Sequence, residues 1–210
     1  MGKNNKKYGY TLKDGEKVTQ LEVTELEKDL GIHIDPELKF SKHAEKQVNK
    51  ANRMLSMIRR SYTHLEKDSL KTLFCALVRP HLEYSVAAWS PRLEKDKKLI
   101  EGVQRRATKL IANLRKLDYE SRLKLLNLPS MVYRRARGDM IEVWKYLHGK
   151  YEVNDHFFQL DQSRTRGHSM KLIKTRCNKS VRQHFFSNRV VSTWNNLPEL
   201  VVNAPTMNTF

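Results

Sequence analysis

Apolar residues spaced three and four apart, each set backed by lysine and arginine, constrain this chain more than any other feature. From Ser41 onward, Ala44, Val48, Ala51, Leu55 and Ile58 fall in a narrow arc at about 100° per residue, the spacing of a helix with one buried face. Lys42, Lys46, Arg53 and Arg60 fall on the opposite side, and Ser41 is placed to cap the helix. The pattern recurs in Leu99, Ile100, Val103, Ala107, Leu110 and Ile111, opposed by Lys95, Lys98, Arg105, Arg106 and Lys109. Behind a capping Ser130 it recurs in Val132, Ala136, Met140, Val143 and Leu147, with Trp144 beside them and Gly149 at the C-terminal end. Further helices are predicted from Lys67 to Val78 with an interruption at Pro80, from Leu82 to Trp89, from Tyr119 to Leu126 and from Val181 to Asn195. An apolar stripe needs a cover, so the predicted fold is mainly α, helix packed on helix. No stretch approaches the roughly 18 apolar residues of a membrane-spanning helix.

The first 40 residues have another character. Tyr8 to Leu12, Val18 to Val23 and Leu30 to Ile34 have the aromatic and β-branched content of short strands, and Asp14-Gly15 is a strong turn dipeptide. So few strands do not form a stable sheet alone. Charge divides at the same place. Residues 1–40 carry seven basic and eight acidic side chains, whereas residues 41–210 carry 33 basic and 15 acidic ones. The net charge of +17 therefore resides wholly in the helical part, and a polyanion is the partner it implies. The stretch 150–180 is irregular and basic, and the tail 203–210 is predicted to be loose.

Catalytic signatures are missing. There is no glycine-rich phosphate loop, no His-Glu-x-x-His, no Cys-x-x-Cys and no Asp-Asp pair of the kind that holds two metal ions. His148, His156, His168 and His184 are scattered rather than spaced as ligands, and Asp29 and Asp35 stand alone. Asp139 reads as a helix-surface partner for nearby arginines. Cys75, among Leu73, Phe74 and Leu77, reads as a small buried thiol, and with only Cys177 besides it both are expected to be reduced. Trp89, Trp144, Trp194, Phe185 and Phe186 read as core. The residue types favour phosphate binding instead. A basic face backed by an apolar one lets a helix dock in a core and present its cations to a nucleic-acid backbone. The candidate contacts are Lys42, Lys46, Arg53, Arg60, Lys98, Arg105, Arg106 and Lys109, joined by Arg134, Arg135, Arg164, Arg166 and Lys171. Arginine's planar fork suits phosphate.

Ordered segments along the chain also resemble those of a known family. They begin with Glu27-Lys28-Asp29-Leu30-Gly31-Ile32-His33-Ile34-Asp35, Leu38-Lys39-Phe40-Ser41-Lys42-His43 and Lys50-Ala51-Asn52. Val78-Arg79-Pro80-His81-Leu82-Glu83-Tyr84, Trp89-Ser90-Pro91 and Glu101-x-Val103-Gln104-Arg105-Arg106-Ala107-Thr108-Lys109 follow. Leu117-x-Tyr119-x-x-Arg122-Leu123 and Arg134-Arg135-Ala136-Arg137-Gly138-Asp139-Met140-Ile141 come next. The last are Arg164-Thr165-Arg166-Gly167-His168 and Arg189-Val190-Val191-x-x-Trp194-Asn195-x-Leu197-Pro198. In this order they resemble the region beyond the catalytic centre in reverse transcriptases of non-LTR, LINE-type retrotransposons of the jockey and CR1 kind. The resemblance covers nearly the whole chain. It implies a palm remnant over 1–40, a helical thumb over 41–115 and a helical C-terminal extension over 116–202. It also implies an RNA or RNA–DNA hybrid duplex as partner, together with the missing fingers and palm. The palm's paired aspartates are absent, so the chain is expected to have no polymerase activity of its own and no cofactor, magnesium being expected only in the complete polymerase. Neither a membrane nor a small-molecule substrate is expected, and the location expected is nuclear or cytoplasmic, not secreted. The alternative expectation is a stand-alone basic nucleic-acid binder or a non-functional relic.

Overall fold

The computed structural model describes residues 8–152, 157–163 and 166–210. The basic N-terminal residues 1–7, His156 and the pair Arg164-Thr165 lie outside the described residues. The architecture is mainly helical, with a short β segment at the N-terminal end.

That segment is two separate hairpins. Strands β1 (Thr11–Asp14) and β2 (Lys17–Gln20) pair antiparallel through a two-residue turn, with Gly15 at φ +59°. Strands β3 (Glu27–Asp29) and β4 (Ile32–Ile34) pair through Leu30-Gly31, both at positive φ. Leu30 thus lies in the turn rather than in the third strand predicted for it, because this two-residue turn places both of its residues at positive φ, outside strand geometry. The first hairpin is exposed along its whole length, whereas Ile32 of the second is buried against the helices. Asp35 then anchors the approach to the first helix. Its Oδ1 accepts the backbone N–H groups of Glu37 and Lys39, both at 3.1 Å, and its Oδ2 accepts that of Phe40 at 2.7 Å.

Helix α1 (Ser41–Ser61) buries His43, Ala44, Gln47, Val48, Ala51, Leu55 and Ile58, the arc the sequence predicts extended by two polar residues. Phe40, in the left-handed region, occupies the capping position in place of Ser41. The Ser41 hydroxyl instead donates to Asp96 Oδ2 at 2.6 Å, tying α1 to the helix that starts at Glu94. The chain then passes through α2 (Lys67–Leu73), a π-turn at Phe74–Val78 and α3 (Arg79–Glu83). Pro80 therefore does not break the helical path. The wider turn, in which Arg79 N–H bonds to the Phe74 carbonyl, gives the ring room one turn back. Ser85, in the left-handed region, starts α4 (Val86–Trp89). Helix α5 (Glu94–Thr108) lies against α1, and the first core forms where α1, the π-turn, α3 and α5 meet around Trp89.

Helix α6 (Tyr119–Leu126) is capped by Asp118, and α7 (Met131–Leu147) by Ser130, whose hydroxyl accepts Tyr133 N–H at 3.1 Å. Gly149, at φ +64°, ends α7. The single helix predicted over 181–195 is broken into α8 (Ser180–Gln183), α9 (Phe186–Arg189) and α10 (Val191–Asn195), followed by α11 (Glu199–Val202). Trp144 and Trp194, both within 1% of full burial, head a second core between α7 and these short helices. Phe185, by contrast, is exposed, and Cys75 is only half-buried. Both cysteines are free thiols. The end of the chain is not detached, since Ala204 is buried and Phe210 packs against both tryptophans. Among the described residues no helix is long and apolar enough to cross a membrane.

Candidate nucleic-acid interface

Two contacts fix how α1 and α5 lie. Ser41 meets Asp96, and Arg106 donates from Nη2 to Asn52 Oδ1 at 2.9 Å. The two contacts progress in the same direction along both chains, so the helices run parallel and their C-terminal ends lie together. Lys42, Lys46, Arg53 and Arg60 form a ridge within about 40° of one another around α1, and all four are exposed. Lys98, Arg105 and Lys109 form a matching ridge on α5 and its C-terminal cap, again exposed. Between the helices runs an open groove whose floor includes Leu55 and Leu110 and whose cations are Arg59, Arg106, Lys109 and Arg115. No carboxylate lines it.

Arg59 and Arg115 were not among the residues predicted from sequence. Arg59 precedes Arg60 and faces α5 rather than lying on the outward ridge. Arg115 arrives from the loop after α5, where its Nε donates to the Lys109 carbonyl at 3.0 Å. Its place next to Lys109 depends on a turn that no helical period reveals.

Cations at helix C-termini have a purely local explanation. Arg59 and Arg60 end α1, and Arg105 and Arg106 end α5, where the negative end of the helix dipole favours them by about 0.3–1 kcal/mol each. That explanation fails for Lys42 and Lys46. They lie in the N-terminal half of α1, whose first turn holds no acidic residue, so the dipole opposes them. Neither is ion-paired to a carboxylate among the described residues, and Lys46 Nζ lies 3.4 Å from His33 Nδ1.

The structure removes two predicted residues from this surface. Arg134 is ion-paired through a two-pronged contact with Glu83, Nη2 to Oε2 at 3.0 Å. Arg135 is only 7% exposed, donates from Nη1 to the Leu82 carbonyl at 2.7 Å and stacks over Trp89 at 4.3 Å. Both face inward because α7 turns this edge onto α3 and α4. Arg105 is partly engaged, its guanidinium 4.2 Å from the Tyr119 ring centre. Arg166 and Lys171 lie in the irregular segment, joined by a bond from Lys171 Nζ to the Arg166 carbonyl, and neither lines the groove. Arg164 lies outside the described residues.

Several residues of the family-like segments are internal ties. Glu101 accepts the Tyr119 hydroxyl at Oε1 and the Val132 N–H at Oε2, 3.2 Å away. Burial and that carboxylate push the Tyr119 hydroxyl far above its ordinary pKa. Gln104 donates to the Pro129 carbonyl at 2.8 Å, and Arg122 spans Thr108 Oγ1 and the Leu117 carbonyl. Asp139 is not the surface residue predicted. It is 8% exposed, and Arg189 grips both its oxygens at 2.8 and 3.1 Å. Among the described residues no group of three histidines, cysteines or acids is placed to hold a metal ion. The chain matches no family model, no curated protein and no solved structure.

Proposed function

We propose that this chain grips the phosphate backbone of RNA or an RNA–DNA hybrid, without reading base sequence, through the paired basic ridges and groove of α1 and α5. The observation that carries this reading is the groove itself. Arg59, Arg106, Lys109 and Arg115 converge there with no carboxylate among the lining residues. Cations gathered this way repel one another unless polyanion charge neutralises them. The resemblance to non-LTR reverse transcriptases supplies the context: a thumb and C-terminal extension without the paired aspartates of a palm. The exposed Tyr10, Leu12 and Val18 of the first hairpin fit a segment built to lie against further polymerase structure.

Binding of the purified chain to a hybrid duplex, titrated against salt, tests the reading. A steep negative slope of log K on log salt is expected, about 0.7–0.9 per phosphate contacted. A flat plot, or no binding at low salt, overturns it. Primer extension with this chain alone is expected to incorporate no nucleotide.

A further inference from the structure

Away from the groove, a cavity of about 270 Å³ opens between α5, α7 and the C-terminal helices. It shares no lining residue with the groove. Lys97 lines the cavity and Arg106 the groove, and their nine-residue separation places them on opposite sides of α5.

The charge of its wall is one-sided. Arg92, Lys97, Arg135 and Arg189 are cationic, His184 stands beside them, and Asp139 is the one carboxylate. Asp139 is already taken, both oxygens being held by Arg189. Arg135 is therefore left as a buried cation with no carboxylate in direct contact, Asp139 and Glu83 attracting it only from a distance. It makes no ion pair among the described residues, and its Nη2 has no hydrogen-bond partner. Burial lowers its pKa only to about 10, so it stays charged at neutral pH. A buried unpaired charge is costly, and an anion nearby offsets that cost. Low-dielectric walls let the charge act on the cavity at a distance. Two further cations stand where a ligand meets them directly. Among the described residues Arg92 is held only by a 3.3 Å bond to the Ser180 hydroxyl, and Lys97 by a surface ion pair with Glu94, which is weak and readily exchanged. The rest of the wall is apolar, with Ile100, Met131 and Val190.

We infer that this cavity binds a phosphate group carried on a small apolar or planar body. Several cations around one space favour a dianion over a monoanion, and a phosphate monoester offers about −1.5 to −2 charges and three acceptor oxygens. The apolar wall takes the body to which the phosphate is attached.

Calorimetric titration of the full chain at constant ionic strength tests this, with adenosine monophosphate, inorganic phosphate and adenosine as probes. Saturable one-site binding of the monophosphate is expected, and none of adenosine. Inorganic phosphate is expected to bind more weakly than the monophosphate, because the body contributes; equally tight binding overturns the part of the inference that assigns the apolar wall to a body. R92A and K97A, which alter the rim of the cavity, are each expected to weaken binding about five- to tenfold. Arg135→Met is expected to abolish it, and if that variant does not fold the rim variants decide. R106A/K109A in the groove is expected to leave it unchanged. The inference is overturned if no phosphate-bearing probe saturates, if adenosine binds as well as its monophosphate, if both rim variants bind as wild type, or if the groove variant abolishes binding.

Discussion

His43 is fully buried, with its ring edge-on to Trp89 at 4.4 Å and its Nδ1 accepting the His33 backbone N–H at 3.1 Å. That hydrogen bond assigns the ring proton to Nε2, which has no partner, so a second proton on the ring has no favourable place. Burial first, then the charges of His33, Lys50, Arg135 and Lys46, lower its pKa from 6.5 to about 4. Between those values the unfolded chain holds the proton and the folded chain does not, so stability is lost as pH falls through that window. The loss is about 3 kcal/mol by pH 4. His43→Gln keeps an acceptor for His33 and removes the titration. Urea unfolding from pH 7.5 to 4 is expected to show the wild type's advantage over the variant shrinking by about that amount. Parallel curves would show that His43 does not titrate this way. The sequence places His43 in a basic, family-like segment but gives no sign that it is a core residue, because burial of a polar side chain depends on what packs above it.

At the scale of elements, the apolar arcs of α1, α5 and α7 were legible because a helix repeats its environment every turn. The sides on which their basic edges end were not. Arg134 and Arg135 have the same local composition as Arg105 and Arg106, yet α7 packs both its flanks while α5 leaves one open. Short helices were the least legible: α8, α9 and α10 read as one because their breaks, at His184-Phe185 and Val190, carry neither glycine nor proline. The difference between the two arginine pairs has a direct consequence for binding. R59A/R115A is expected to lower the salt slope of duplex binding by about 1.4–1.8, one phosphate for each charge, with little change in melting temperature. Arg134→Ala is expected to do the reverse, lowering stability by roughly 1–3 kcal/mol as Glu83 loses a partly buried partner, with the slope unchanged. A slope lowered equally by both variants would place the nucleic acid elsewhere on the molecule.

Beside a smaller cluster of Leu70, Ile111, Leu114, Leu126 and Leu128, the described residues form two larger cores in series, with α7 contributing Met131 to the first and Met140, Val143 and Trp144 to the second. One side chain clasps the joint from the other direction. Arg189, on α9, holds Asp139 of α7 and also donates to the carbonyls of Val86 and Ala87 in α4, at 3.3 and 3.1 Å. It therefore binds the C-terminal helices to the first core across about a hundred residues of chain. The sequence shows Asp139 and Arg189 in separate segments and does not show that they meet. With a fifth, from Nη1 to the His184 carbonyl at 3.4 Å, these contacts need a planar fork with donors on three nitrogens, and a lysine ammonium offers one charged point. Arg189→Lys keeps the charge beside Asp139 and loses the bridge to α4. Hydrogen exchange is expected to show faster amide exchange over 186–202 in that variant, with α1 and α5 as protected as in the wild type, because the second core then opens without the first. Equal loss of protection in both cores would mean that they unfold as one unit and that α7 alone is enough to couple them.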